Sequence, residues 1–422
     1  MNSSISTSLN DLGGIFVDPA AYTDLDDWHR RAKLLREQDP VHRVELAGMK
    51  PFWAITTYDN VWEIERQHQL FPNTLQSVLF NDEFYAQQMA SGLVVKSLVH
   101  MDGAEHRAYR GVTNDWFKPA NLRKRVEGEV ARLARKFVDK MMNAGPESDF
   151  SREIALLFPL HVIMSILGVP EKDEPRMLQL TQQLFASEDP EFDIEGDALS
   201  TMLETAGAFF EYFNALTDQR RKSPIDDIAS VLANAKIDGE PLGDIERVGY
   251  YMIIATAGHD TTANSLSAGI EALCNHPDQL RALQADPSGI DLAVDEIIRW
   301  STPVRHFLRY ATEDCEIGGK SIANGDALLL SYLSANRDEK RFADPLRFDA
   351  KRANASEHLA FGTGVHFCLG AHLARLELRT FLRELLPRLV SMEVAGPTQH
   401  VRSHFVGGLK NLPLRYAIRP AN

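Results

Sequence analysis

Residues 244–275 place the tightest constraint on how this chain can fold. The run V-G-Y-Y-M-I-I-A-T-A-G-H-D-T-T-A-N-S-L-S-A-G-I-E-A-L-C reads as one long helix, apolar nearly all round. A helix with no polar face must be buried through the middle of its molecule. Yet Gly258, His259, Asp260, Thr261 and Thr262 stand at its centre. A buried acid beside a hydroxyl is costly unless partnered. A mid-helix glycine followed by threonines also invites distortion, because a threonine hydroxyl can bond the carbonyl four residues back. A local groove with room for a small molecule is expected there.

The rest of the chain supplies helices to bury it. Asp24–Gln38 has an acidic start, a basic end and helical spacing, and residues 121–236 are almost entirely helical patterns. Val41–Glu45 and Phe52–Thr56 read as a hairpin, Tyr58–His68 as a helix, and Ala104 onward as another. There is no βαβ alternation, which predicts a mainly α fold with small β-sheets rather than a doubly wound sheet. Residues 71–99 show no clean period and read as a covering or binding loop, while 1–20 read as an N-terminal tail.

Composition removes several function classes. With 44% hydrophobic and 25% charged residues the chain has ample material for a core. A net charge of −14 argues against a nucleic-acid partner. Cys274, Cys315 and Cys368 cannot make a disulfide framework, and none sits in a CxxC pair, which suits a reducing cytoplasm. The first residues lack the basic and apolar regions of a signal peptide, and no stretch approaches 18 apolar residues, so no membrane span is expected.

Cys368 stands in F-G-T-G-V-H-F-C-L-G (361–370), directly before an amphipathic helical pattern, A-H-L-A-R-L-E-L-R-T-F-L-R-E-L-L. Glycines permit tight turns and close approach to a flat ligand. A thiolate there, beside the positive end of a helix, is a strong soft metal ligand. The loop resembles the haem-ligand loop of the cytochromes P-450, whose iron takes a cysteine thiolate. A-G-H-D-T-T, Glu296-x-x-Arg299 and Pro303-Val304 follow in the family's order, so the resemblance covers nearly the whole chain as one large domain.

The resemblance implies a haem b with Cys368 as its iron ligand, and a monooxygenase that hydroxylates substrate with O₂. It makes Asp260 and Thr261 the acid–alcohol pair that handles protons on the distal side. His106 and Arg110, at i and i+4, together with Arg309 and His366, become propionate donors; Gly103 and Ala104 replace the family's prolines before them. Ala257, Gly258, Phe361 and Gly370 become further haem contacts. Ile253, Ala257, Val304, Phe307, Phe405 and Val406 become substrate contacts, with 71–99 covering the pocket. Glu296 and Arg299 become a structural core pair closed by Arg352.

No glycine-rich dinucleotide fingerprint accompanies these motifs. Electrons are therefore expected from a separate ferredoxin with an NAD(P)H-dependent reductase, docking near Arg107, Lys118, Arg375 and Arg379. The wording of F-P-L-H-V-I-M-S-I-L-G-V-P and F-V-G-G-L-K-N-L-P is most similar to the terpineol-hydroxylating bacterial members. That implies a compact hydrophobic substrate: a monoterpenoid, an alkyl-aromatic or a cyclic hydrocarbon. A thiolate-haem gas sensor, a peroxide-using relative and a hydrolase built on Asp260 are the alternatives. The first needs no proton relay, the second typically departs from the acid–alcohol pair, and the third needs no Cys368.

Overall fold

The computed structural model describes residues 12–73, 76–91, 96–185 and 198–421. Positions 1–11 of the expected tail, and 74–75 and 92–95 of the expected covering loop, lie outside the described residues. The remainder of the tail is packed: Leu12, Ile15 and Phe16 are buried against Trp28 and Leu35.

The helical core is built on two helices, Asp244–Ala257 and Asp260–Asn275. A single helix over 244–275 was expected, and the chain instead breaks at Gly258 and His259. The cause is local. Thr261 Oγ1 donates to the Ala257 carbonyl at 2.7 Å, a side-chain bond that competes with the ladder at the break. A Cβ at position 258 would lie 2.8 Å from Ile163 Cδ1, so the helix Leu157–Leu167 presses closely on the break. Ile290–Ser301 and Ala371–Leu385 pack against this axis and Glu127–Ala144 packs against the latter, and all share one apolar core with Phe150, Phe158 and Phe381.

A four-stranded sheet closes the other side. Val41–Val44 and Phe52–Ile55 form the expected antiparallel hairpin. The second of these strands pairs in parallel with Ala327–Ser331, which in turn pairs antiparallel with His306–Tyr310. Side chains alternate across a strand, and Leu328 and Leu330 pack on one side with Ile55 while Leu329 packs on the other with Phe52 and Trp28. The same alternation puts Phe307 and Arg309 on one face and Leu308 on the opposite one.

Several boundaries depart from the sequence reading. Residues 71–99 contain a helix, Asp82–Ser91. Helical order after 119 is interrupted at Val126, and the segment leading into Leu157–Leu167 begins as a π turn, Ser151–Ala155. Glu147–Asp149 lies within the region read as helical, and the two-residue strands Lys236–Ile237 and Glu240–Pro241 follow at its end, all too short for a periodicity to reveal. Among the described residues no helix is long and apolar enough to cross a membrane.

Candidate active site

One cavity brings most of the expected site residues together. Cys368, Phe361, His366 and Gly370 of the glycine-rich loop line it, with Ala257, Gly258 and Thr261 of the helix break. His106, Arg110 and Arg309 line it too, as do Ile253, Val304 and Phe307. Phe405 and Val406 do not. Phe405 packs against Phe307 at 5.5 Å between ring centroids, and Val406 pairs with Val304 as an isolated β-bridge, so both stand behind residues of the wall.

The loop holds its shape through residues to which the sequence gives no evident role. Gly364 has a φ of +68°, and a Cβ there would meet the Glu65 carbonyl oxygen at 2.6 Å. Glu65 is buried and accepts from Thr363 N (2.7 Å), Tyr332 Oη (2.6 Å) and Arg309 Nη2 (3.1 Å). Burial pushes its carboxyl up, and Arg309, Tyr332 and Thr363 pull against that. Asp102 ties the loop on its other side: Oδ1 is 3.0 Å from His366 Nε2, and Oδ2 accepts from Asn73 N at 2.8 Å.

At Cys368, burial pushes the thiol up, opposed by the N–H groups of Gly370 and Ala371 and the charges of Arg110 and Arg375. The expected helix-end stabilisation is present, but alone it does not overcome burial. A bound cation would complete it. Four nitrogen-bearing side chains surround the same cavity. His106 and His366 have ring centroids 4.3 Å apart. Burial, then the charges of His366 and Arg110, push His106 down to about 4, so it is a neutral donor at pH 7. Arg110 donates to the Phe367 carbonyl at 2.7 Å. Buried sulfur at one position and clustered guanidinium and imidazole donors at another suit a flat metal macrocycle with anionic substituents.

Comparisons agree. Residues 290–402 match the family model described as "Cytochrome P450". The chain is 42% identical over 410 residues to Cytochrome P450-terp of a Pseudomonas species, covering 94% of this chain and 95% of that one. The chain belongs to the cytochrome P450 family. A Steroid C26-monooxygenase of Rhodococcus jostii is 32% identical, over 95% of this chain and 84% of that protein. A crystal structure of CYP108D1 from Novosphingobium aromaticivorans superposes with a TM-score of 0.91 at 41% identity, covering 97% and 98% of the two chains. This P450 is a haem-thiolate monooxygenase. The haem supplies dioxygen activation when bound, and Cys368, His106, Arg110, Arg309 and His366 are the side chains of the cavity suited to hold it.

The two residues expected to form this P450's acid–alcohol pair are split by the cavity wall. Thr261 lines the cavity and its hydroxyl hydrogen is given to Ala257, so it presents lone pairs inward. Asp260 is outside the lining. Its Oδ1 lies 3.3 Å from His259 Nδ1, and burial pushes its carboxyl up while His259 opposes this. The expected docking arginines are engaged within the chain: Arg375 with Asp295 at 2.7 Å, Arg379 with Asp291 at 3.4 Å. Lys118 pairs with Asp115 at 2.5 Å, while Arg107 is exposed.

Sequence reasoning missed a second acid at this P450's cavity. Glu377, on the Ala371–Leu385 helix, lines it, is fully buried, and has both carboxyl oxygens without a partner. Only its place seven residues into an otherwise amphipathic pattern signals it. Burial pushes its carboxyl well up, so it is protonated in the fold at a pH where the unfolded chain has ionised it. Stability is therefore lost as pH rises above the ordinary glutamate pKa. Glu377→Gln should recover about 1–3 kcal/mol near neutral pH and nothing near pH 4. Thermal melts of the two holoproteins across pH 4–8 check this; equal melting temperatures throughout would show that Glu377 is partnered.

Proposed function

We propose that this P450 hydroxylates a compact hydrophobic molecule, a monoterpenoid, alkyl-aromatic or cyclic hydrocarbon, with electrons from a separate ferredoxin and its reductase. The observation that carries the substrate class is the cavity wall around Thr261. Val99, Ile253, Ile254, Ala257, Val304 and Phe307 are aliphatic or aromatic, so a ligand held there gains from apolar burial rather than from hydrogen bonds. The similarity to Cytochrome P450-terp supports the same class.

In this reading Phe307 and Val304 position the substrate and exclude water, while Thr261 receives protons at Oγ1 and hands them into the cavity. Asp260 is their source. Arg110 and Arg309 neutralise the propionates, with His106 and His366 as neutral donors beside them.

Optical titration of the ferric holoprotein with terpenes, alkylbenzenes, fatty acids and steroids tests the class. Monoterpenes or cyclic hydrocarbons should shift the haem toward high spin, visible in the Soret band. A response only to steroids would instead align this enzyme with the Rhodococcus relative. A response only to fatty acids would rule out the compact pocket.

A further inference from the structure

The break at Gly258 and His259 sets two ionisable side chains against each other, with His259 enclosed and the Asp260 side chain keeping 16% of its surface exposed. His259 is fully buried, and its Nε2 lies 2.8 Å from the Leu156 carbonyl oxygen. A carbonyl only accepts, so Nε2 carries a hydrogen; in the neutral ring Nδ1 then has none. That bare nitrogen is the atom 3.3 Å from Asp260 Oδ1. Neither His259 Nδ1 nor Asp260 Oδ2 has a hydrogen-bond partner among the described residues, and both are buried. A neutral imidazole facing an ionised carboxylate would therefore oppose two lone pairs with little water to separate them, which is costly. One added proton removes the conflict, whichever of the two groups carries it.

The surroundings offer no other remedy. Arg152, Glu153 and His161 lie on the turn and helix packed against the break, and Glu296, Arg299 and Glu377 on helices packed against Asp260–Asn275. Among the described residues, only the charge of His259 acts on Asp260. Glu153 takes the Asp149 N–H at 3.1 Å, and Arg299 is held by Glu296.

We propose that His259 and Asp260 act as one proton-holding pair, in which His259 is a positioning residue that keeps a proton on hand for Asp260 to pass toward Thr261. This rests on the acid–alcohol reading above. The transfer is a simple one: the proton leaves the pair, the pair becomes imidazole plus carboxylate with a charge of −1, and a proton from solvent refills it through the exposed part of Asp260. Thr261 suits the receiving role because its own hydrogen is committed to Ala257.

The test uses His259→Gln, whose amide can keep the Leu156 bond but cannot hold the proton, with Asp260→Asn alongside. In infrared spectra of the substrate-free ferric holoprotein, taken in H₂O and D₂O from pH 5 to 9, the wild type should show a proton-bearing band from the pair at neutral pH. Either a carboxylic acid or an imidazolium band qualifies, provided Asp260→Asn removes it. During turnover, His259→Gln should release about tenfold more of its consumed O₂ as peroxide and should lose the wild type's pH dependence of coupling. An ionised carboxylate beside a neutral ring throughout that pH range overturns the proposal. So does His259→Gln coupling as well as wild type while Asp260→Asn uncouples. If Asp260→Asn itself stays fully coupled, the acid–alcohol reading fails instead. Should His259→Gln not take up haem, the wild-type and Asp260→Asn infrared spectra decide alone.

Discussion

Cys368→Ala should leave a folded chain with no oxygenase activity above background. The substitution removes one sulfur from the cavity wall and keeps the backbone bonds of the loop, such as Cys368 N to the Phe361 carbonyl at 2.9 Å. Its cost to stability is about 1 kcal/mol. Its cost to function is total, because the sulfur is the soft anionic ligand of the site and neither of the other cysteines, Cys274 or Cys315, lines the cavity. Three measurements separate the effects. Circular dichroism should be unchanged, the reduced protein's carbon monoxide complex should lose its thiolate-type Soret band, and turnover should vanish. Retained turnover would mean that the catalytic centre lies elsewhere and would favour a hydrolase built on Asp260.

Glu296→Ala should have the largest effect on stability, about 3–5 kcal/mol. The Glu296 and Arg299 side chains are both 0% exposed. Glu296 accepts from Arg299 Nε at 2.7 Å and Nη2 at 2.8 Å, from Arg352 Nε at 3.1 Å, and from Asp349 N at 2.9 Å. Arg299 also donates to the carbonyls of Asn336 and Pro345. Removing the carboxylate strands two guanidiniums in a site with no water to solvate them, and the irregular chain between 336 and 352 loses its clamp. Glu296→Gln should fall between the two, keeping some bonds but not the charge. Urea unfolding of the three proteins measures the order. A loss under 1 kcal/mol for the alanine variant would show that the segment is held by its backbone contacts alone.

The two residues behind that prediction were legible because a short motif named them, whereas their setting was not. Glu-x-x-Arg is weak by itself, and only its order among other motifs gave it meaning. The same holds for His106, Arg110, Arg309 and His366, which come from distant parts of the chain to one cavity. Glu65 and Asp102 escaped notice because each acts through partners 29 to 298 residues away, a separation that leaves no period in the sequence. The helix break was half legible. Gly258 and the threonines announced distortion, but the pressure of Ile163 and the Leu156 carbonyl waiting for His259 belong to another helix. Glu377 was hidden by its own pattern, since a glutamate in an amphipathic helix ordinarily faces water.

The parallel pairing of Phe52–Ile55 with Ala327–Ser331 carries a consequence for how the chain is made. Ile55 sits opposite Leu330, 275 residues further on. A ribosome adding roughly 5–20 residues per second needs about 15–55 s to cross that interval. Through that time the hairpin's inner edge stands open, with unpaired N–H and C=O groups that any other nascent strand could match. Slow closure of distant contacts is the common origin of aggregation during synthesis. Yield of soluble protein should thus respond to expression temperature and chaperone supply.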